Sequence, residues 1–299
     1  MLNGLLKNRD VQFVFVLLQF VRLRNCLMTA FGVVLGASLA YGGDSILPLS
    51  SPVLSAALAA ALIAGGGNAL NDYFDFEIDK VNKPNRPLPS GRISKSDALM
   101  FSMSLFLLGV ALAKSVNFFT LVLAAANSIL LIIYARHSKK LFLMSNIMIS
   151  YLVASVFVYG ILSIWDPSKP FDLGSYRLAW ILAACSFFMT LSREIIKDIE
   201  DVEGDKKMYA RTLPIVYGSG RSRVVASVFA VAAVVLSIAP VFFADSGLSL
   251  LLYVPLILVA DLFFLLAVTM YAPLAQVTMA VGMNIALAAF FLGSIVTRI

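Results

Sequence analysis

Long apolar runs make up most of the chain, and polar residues are confined to short segments between them. The runs are continuous rather than alternating, a pattern typical of helices and not of membrane β-strands. A helix needs about 20 residues to cross a bilayer, which is close to the length of each run. The pattern predicts nine membrane-spanning helices, at about residues 11–41, 52–74, 97–115, 117–135, 141–164, 175–197, 218–244, 248–270 and 273–297.

The composition indicates the same class of protein. Of the 299 residues, 60% are hydrophobic and only 13% are charged, whereas a soluble domain has about 25% charged residues. These values exclude a water-soluble globule, a disordered chain and a collagen-like chain. We therefore predict an all-α polytopic membrane protein, with about nine transmembrane helices in a bundle around a central cavity. Cys26 and Cys185 both lie in apolar runs, which indicates packing rather than a disulfide framework.

The basic residues predict how the chain is oriented. All but four of the 23 Lys and Arg residues fall on one side of the predicted helices. The positive-inside rule then places the N-terminus and the two long basic loops in the cytoplasm. This distribution explains the net charge of +6 without nucleic acid as a partner. We expect a multi-pass protein of the cell membrane whose active site lies near the cytoplasmic face.

A first group of acidic residues, the first motif, lies at the cytoplasmic end of the second predicted helix. With 100° of rotation per helical residue, Asn68, Asp72, Asp75 and Asp79 share an arc of about 60°. Glu77 points away from this arc. Four oxygen-bearing side chains are therefore expected on one face of a helix.

A second group, the second motif, repeats this spacing at the end of the sixth predicted helix. Asp198, Asp201 and Asp205 lie 126 residues after the corresponding aspartates of the first motif, and Glu194 replaces the asparagine. Each motif is followed by an Arg-x-Leu-Pro segment, beginning at Arg86 and at Arg211. We predict one transmembrane domain over residues 1–299, formed by a pseudo-repeat with motifs near 68–92 and 194–214.

Carboxylates on one helical face near a membrane repel one another and resist desolvation, so they need a compensating cation. Oxygen ligands suit Mg²⁺, which binds one or two carboxylates and completes its shell with water and phosphate. Solvated helix ends are the alternative, but two copies with the same spacing and a basic loop each disfavour it. We assign the catalytic role to Asp72, Asp75, Asp79, Asp198, Asp201 and Asp205. Basic residues beyond the motifs are expected to bind diphosphate, namely Lys83, Arg86, Arg92, Lys206 and Arg211.

Two further groups of polar residues are candidates for substrate binding. Arg22 and Asn25 lie inside the first apolar run, where an arginine either faces a polar cavity or extends to the interface. A third polar group follows the fourth predicted helix and serves either substrate or membrane anchoring; it contains Tyr134, Arg136, Lys139 and Lys140. Asp261, within the eighth predicted helix, either lines a cavity or pairs with a neighbour.

The two aspartate motifs resemble those of the UbiA superfamily of intramembrane prenyltransferases. The resemblance covers nearly the whole chain, with one motif after the second helix and one after the sixth. Longer strings at residues 67–75, 85–92 and 193–206 are similar to the members that make archaeal ether lipids. The segment that begins at Arg22 is similar too, although Arg24 stands where those members often have proline.

The resemblance implies a reaction and a metal site. Geranylgeranyl diphosphate would donate its C20 chain to the free hydroxyl of geranylgeranylglyceryl phosphate. The hydroxyl proton would pass to Asp75, to Asp79 or to the departing diphosphate. By the resemblance, Mg²⁺ would be held by Asn68, Asp72, Glu194, Asp198 and Asp201.

Two other functions are compatible with the sequence. A prenyltransferase of the same superfamily could act on an aromatic quinone or haem precursor, although the basic loops favour an acceptor that carries phosphate. A transporter could also have repeated halves and intramembrane carboxylates. The charges here cluster at the cytoplasmic helix ends rather than at the midplane, which disfavours a transporter.

Overall fold

The computed structural model describes residues 9–41, 50–137, 142–207, 210–243 and 247–296. Within these ranges the chain forms α-helices and one short 3₁₀ helix, at Ala239–Phe242. The α-helices are α1 (Arg9–Phe20), α2 (Leu23–Tyr41), α3 (Ser51–Phe74), α4 (Phe76–Asn82), α5 (Lys95–Lys114), α6 (Phe118–His137), α7 (Met144–Ile164), α8 (Arg177–Glu200), α9 (Val202–Lys207), α10 (Leu213–Tyr217), α11 (Ser219–Ile238), α12 (Leu250–Ala267) and α13 (Ala272–Val296).

Nine helical segments in the described part of the chain are long and apolar enough to cross a membrane. They correspond to α2, α3, α5, α6, α7, α8, α11, α12 and α13, with α6 counted to Arg136, α11 together with the 3₁₀ helix to Phe242, and α13 to Ile295. The two shortest predicted connections, between runs 97–115 and 117–135 and between runs 248–270 and 273–297, are present. In the structure α5 ends at Lys114 and α6 begins at Phe118, while α12 ends at Ala267 and α13 begins at Ala272. The prediction of an all-α protein with nine membrane-spanning helices is confirmed.

The first apolar run is not one helix, and that part of the prediction is wrong. It divides into α1 and α2 at Val21 and Arg22, where Arg22 has a left-handed φ of 55°. A residue other than glycine is strained in this backbone conformation, so contacts with other residues must stabilise it. The backbone N–H of Asn25 donates to the Arg22 carbonyl at 2.7 Å, rather than to the carbonyl four residues earlier as in an α-helix. The break therefore releases the Val21 carbonyl for a partner outside the helix.

Both motif helices are interrupted at the middle aspartate. The first motif changes from α3 to α4 at Asp75, and the second changes from α8 to α9 at Asp201. The bonds between residues four apart continue through both points, with Asp79 N to Asp75 O at 2.8 Å and Asp205 N to Asp201 O at 2.9 Å. Each interruption therefore keeps the hydrogen bonding and the spacing close to those of a helix.

The chain divides into two compact units. The first contains residues up to Val33 together with Ser51–Arg136, and the second contains Val34–Ser50 together with residues from His137 onward. The core of the first unit joins α1, α3, α5 and the loop after α4 through Phe20, Ala69, Leu88, Ile93 and Ala98. The core of the second joins α8, α10, α11 and α13 through residues that include Leu191, Ile195, Leu213, Ala226 and Met279. The predicted pseudo-repeat stays a prediction.

Close helix packing fixes the helix that carries the first motif. A Cβ atom at Gly109 of α5 would lie 2.6 Å from Ile63 Cγ1 and 2.9 Å from the Ala59 carbonyl oxygen of α3. The Ser102 hydroxyl donates to the Gly66 carbonyl at 2.8 Å. Small residues and interhelical hydrogen bonds are the usual means of packing helices in a membrane. They hold α3 against α5 up to the point where the motif begins.

A second close approach, inside the second unit, leads to a stability prediction. A Cβ at Gly36 would lie 2.3 Å from the Phe157 carbonyl oxygen and 2.8 Å from its Cα. Because both are backbone atoms of α7, Gly36→Ala should destabilise the protein by about 1–3 kcal/mol or more. The melting temperature of the detergent-purified protein measures the effect. Gly220→Ala is the control, because nothing lies within 4 Å of its added Cβ, and equal melting temperatures would contradict the prediction.

Asp261, for which the sequence leaves open a cavity lining or a pairing with a neighbour, is paired in the structure. The side chain is buried in α12, and its Oδ2 accepts a hydrogen bond from the Ser237 hydroxyl at 2.8 Å. The Tyr253 hydroxyl donates to the Ser237 carbonyl at 2.7 Å. Asp261 therefore pairs with a neighbouring helix of the second unit, apart from either acidic motif in sequence.

Candidate functional site

Asp72 and Asp79 of the first motif are buried, at 3% and 4% exposure, and one arginine joins them. Arg86 Nη1 lies 3.0 Å from Asp72 Oδ1 and 2.5 Å from Asp79 Oδ2. The two carboxylates belong to α3 and α4, on either side of the interruption at Asp75. Arg86 thus holds together two of the predicted catalytic aspartates, and part of the predicted acidic face exists.

A second arginine reaches Asp72 from the break between α1 and α2. Arg22 Nη2 lies 2.7 Å from the same Asp72 Oδ1 that Arg86 contacts. A buried carboxylate is costly unless it is paired and hydrogen-bonded, and two guanidinium groups meet that need. The structure therefore pairs Arg22 with a buried carboxylate of its own unit.

Asn68 lies one helical turn before Asp72 and ties α3 to the same break. Its Nδ2 donates to the released Val21 carbonyl at 2.9 Å, which also receives the Cys26 thiol at 3.3 Å. This bond sets the amide orientation and leaves Oδ1 as the amide's acceptor. Asn68 and Asp72 therefore both contact the residues at the break, and these contacts support the strained conformation of Arg22.

The second motif has different partners. Asp198 Oδ2 accepts a hydrogen bond from Asn146 Nδ2 of α7 at 2.8 Å. Glu194 lies 3.2 Å from Lys197 Nζ and 3.5 Å from Arg193 Nη1. Among the described residues, no cation lies within ion-pair distance of Asp198. Asp72 is thus neutralised by two arginines, whereas Asp198 is held by a neutral amide.

Asn146 is a residue that the sequence interpretation missed as part of a site. An amide in an apolar run usually makes a helix–helix hydrogen bond, and the partner of Asn146 lies 52 positions away. The amide does bridge α7 and α8, but it bridges them at a motif carboxylate. A polar residue in an apolar run is a signal, but the run does not reveal which partner it meets.

Arg92 makes hydrogen bonds within its own loop and to α1, and its predicted binding of diphosphate stays a prediction. Its three donor groups bind the Gln19 side chain at 3.0 Å, the Asn85 carbonyl at 2.5 Å and the Ser90 hydroxyl at 2.9 Å. These bonds fold the loop after α4 and fasten it to α1. Arg92 therefore supports the position of Arg86 in the same loop.

The remaining predicted site residues are placed as follows. Asp75, Asp205 and Tyr134 are half-buried. Exposed side chains belong to Asn25, Lys83, Arg136, Asp201, Lys206 and Arg211. Lys139 lies outside the described residues. Their roles in catalysis and binding stay predictions.

The donor atoms of the two motifs fit Mg²⁺ rather than a softer metal. Within the described residues, no three His, Cys, Asp or Glu side chains form a metal cluster by themselves. Mg²⁺ does not need one, since it takes one or two carboxylates and completes its shell with water and phosphate. Asp72 with the Asn68 amide oxygen, and Asp198 with Glu194, provide oxygen donors one helical turn apart. Both pairs suit a hard cation that arrives together with a phosphate ligand.

A helical membrane protein with an oxygen-rich motif in each of its two units is the class that these observations define. The UbiA prenyltransferase family matches residues 29–295, and the chain belongs to this family. It is a prenyltransferase.

Relatives cover most of the chain. The digeranylgeranylglyceryl phosphate synthase of Methanopyrus kandleri is 42% identical over 223 residues, which are 75% of this chain and 77% of that protein. The synthase of Methanothrix thermoacetophila is 40% identical over 281 residues, or 93% of this chain and 98% of that protein. The chain is therefore similar to these synthases over three quarters or more of its length.

Solved structures share the fold. A digeranylgeranylglyceryl phosphate synthase structure has a TM-score of 0.76 at 32% identity, covering 95% of this chain and 99% of that one. A UbiA homologue from Archaeoglobus fulgidus bound to GPP and Mg²⁺ has a TM-score of 0.66 at 18% identity, covering 93% and 99%. The second likeness shows the fold alone.

Proposed function

We propose that this protein transfers a geranylgeranyl group from geranylgeranyl diphosphate to the free hydroxyl of geranylgeranylglyceryl phosphate, with Mg²⁺ as the cofactor. The product would carry two ether-linked isoprenoid chains, as archaeal membrane lipids do. The observation that supports this most is the 40% identity to a digeranylgeranylglyceryl phosphate synthase over 93% of this chain. An aromatic acceptor has no comparable support among these relatives.

The first requirement of this reaction is charge neutralisation on the leaving diphosphate. When bound, Mg²⁺ would supply positive charge to the diphosphate oxygens, and Asn68, Asp72, Glu194, Asp198 and Asp201 are the residues proposed to hold it. Arg22 and Arg86 add fixed guanidinium groups beside Asp72, 2.7 and 3.0 Å from its Oδ1. Preorganised charges of this kind stabilise a leaving group without reorganisation during the reaction.

The second requirement is the exclusion of water from the allylic carbon. As the C–O bond breaks, positive charge develops on the isoprenoid, and water would compete with the acceptor hydroxyl. The apolar composition of the membrane-spanning helices provides a dry environment for this step. The hydroxyl oxygen then forms the ether bond, and its proton leaves with the diphosphate or passes to Asp75 or Asp79.

The third requirement is recognition of an acceptor that carries a phosphate. Lys83, Lys206 and Arg211 are exposed cations that follow the two motifs. Exposed cations are suited to a phosphate group, which carries more negative charge and more acceptor oxygens than the carboxylate of an aromatic acid. We propose that these cations bind substrate phosphates, the diphosphate of the donor as well as the phosphate of the acceptor.

A direct assay separates the acceptors. Detergent-purified protein, Mg²⁺ and labelled geranylgeranyl diphosphate are incubated with geranylgeranylglyceryl phosphate or, separately, with an aromatic acid. Label should enter the ether lipid, and activity should vanish with excess chelator. Labelled aromatic product and no labelled ether lipid would overturn the proposed acceptor.

The proposed orientation in the cell membrane gives a separate prediction. Ser50, Ser90 and Ser219 are exposed positions, so cysteines there should react with a membrane-impermeant maleimide. In a background without Cys26 and Cys185, the positive-inside rule predicts labelling of 90 and 219 from the cytoplasm and of 50 from outside. Intact cells and inside-out vesicles distinguish the two sides. The reverse labelling pattern would place the active site on the outer face.

A further inference from the structure

We propose that Arg86 and Arg22 are internal counter-ions of the first motif, which leave its carboxylates for the diphosphate when metal and donor bind together. This inference rests on the proposed function, because it assumes that the first motif receives Mg²⁺ and a diphosphate. It adds a dependence of metal binding on diphosphate binding.

The charge balance of the first motif is the starting point. The carboxylates of Asp72 and Asp79 contact the guanidinium groups of Arg22 and Arg86 and no other cation among the described residues. These four side chains, which do not include Asp75, carry two negative and two positive charges and are neutral together. Addition of Mg²⁺ alone would give them a net charge of +2, which a partly buried site disfavours. Addition of Mg²⁺ with an anionic diphosphate brings the group close to neutrality again.

The relative exposure of the partners shows how an exchange can take place. The carboxylate side chains are 4% and 5% exposed, whereas the side chain of Arg86 is 24% exposed and that of Arg22 34%. The arginine side chains are therefore more accessible than the carboxylates with which they pair. An incoming ligand reaches the arginines first, and a diphosphate offers them more acceptor oxygens than the single Asp72 Oδ1 that both now share.

The second motif lacks this arrangement. Asp198 accepts a hydrogen bond from the neutral amide of Asn146, and no arginine forms an ion pair with it among the described residues. Glu194 of the same motif pairs with Arg193 and Lys197. Metal can therefore reach Asp198 without displacing an arginine from that carboxylate. The first motif should therefore take metal efficiently only in the presence of diphosphate, and by linkage diphosphate should bind better with metal.

The test compares metal and pyrophosphate binding with and without Arg86. Full-length protein in detergent is titrated with Mn²⁺ alone, and free Mn²⁺ is measured by electron paramagnetic resonance. A background with Glu194→Gln, Asp198→Asn and Asp201→Asn removes the proposed carboxylate ligands of the second motif, so the measurement reports on the first motif. Arg86→Gln should bind Mn²⁺ about tenfold more tightly than the parent, because it removes the competing cation. In a background with Asp198 intact, the same variant should bind pyrophosphate about tenfold more weakly at saturating Mn²⁺.

The matched control is Lys80→Gln. It removes one positive charge from α4, but Lys80 pairs with the exposed Glu77 at 3.2 Å and does not contact Asp72 or Asp79. Both affinities should stay within about twofold of the parent. Opposite changes in the two affinities of Arg86→Gln, absent from Lys80→Gln, would support the proposal. Weaker or unchanged Mn²⁺ binding in Arg86→Gln would overturn it and leave Arg86 as a structural contact.

Two provisions keep the result decisive. If Arg86→Gln is unstable without metal, Mn²⁺ should raise its melting temperature more than that of the parent, and a smaller rise would overturn the proposal. If it does not fold at all, Arg86→Lys takes its place and should bind Mn²⁺ more tightly than the parent, because one ammonium cannot match the bridging guanidinium. Mn²⁺ and pyrophosphate contain neither prenyl chain nor acceptor. A wrong acceptor assignment would therefore leave these binding results unchanged.

Discussion

Replacing Asp198 with asparagine should reduce turnover on the order of 100-fold or more, with the protein still folded. A bound metal supplies several kcal/mol of charge stabilisation to a transition state, and each 1.36 kcal/mol is a factor of ten in rate. Asp198 is the cleaner of the two motif positions to test. Its described partner is the neutral Asn146, so the change leaves no arginine unpaired. Asp72→Asn should also lose turnover, but it would leave Arg22 and Arg86 without their shared acceptor.

The measurement is kcat and its dependence on Mg²⁺ concentration, with the melting temperature as a check on folding. Glu203→Gln is the matched control, since it removes one negative charge from an exposed position five residues further on. The control should keep turnover within about twofold of wild type, as surface charges contribute little. Equal kcat values in Asp198→Asn and wild type would show that the second motif does not hold the metal.

The membrane-spanning helices could be predicted because bilayer thickness imposes a length that the apolar runs display directly. The predicted joint near Ser115–Asn117 agrees with the end of α5 at Lys114 and the start of α6 at Phe118. The break at Arg22 could not be predicted. The apolar pattern continues through it, and the left-handed conformation depends on contacts with Asn68 and Asp72, about 50 positions away.

The site could be predicted in part for a related reason. Helical periodicity relates residues three to seven positions apart, and it therefore predicted Asp72 and Asp79 on one face of a helix. In the structure both carboxylates are buried and form ion pairs with the same arginine. Periodicity says nothing about a loop. The sequence placed Arg86 near the motif and expected it to face a phosphate, but its bonds to both carboxylates depend on how the loop folds back.

Arg86 and Arg211 occupy corresponding positions after the two motifs, yet their substitutions should differ sharply. Arg86→Ala leaves the buried carboxylates of Asp72 and Asp79 without their bridge, and removal of one partner from a buried ion pair costs about 3–5 kcal/mol. It should lower the melting temperature markedly in metal-free buffer. Arg211 is exposed, so Arg211→Ala should leave the melting temperature nearly unchanged.

The kinetic effects of the two substitutions should overlap. If both arginines bind substrate phosphates, each alanine variant loses a charged hydrogen bond of ~1.5–3 kcal/mol, a roughly 10- to 150-fold fall in kcat/KM. Lysine should rescue only in part at position 86, because one ammonium cannot match the guanidinium that bridges two carboxylates. Donor and acceptor kinetics on purified, folded variants, with melting curves with and without Mg²⁺, measure both properties. Wild-type kcat/KM in both alanine variants would show that the basic loops orient the protein in the membrane and take no part in the site. A loss of stability in Arg86→Ala at wild-type kcat/KM would restrict that arginine to holding α3 and α4 together.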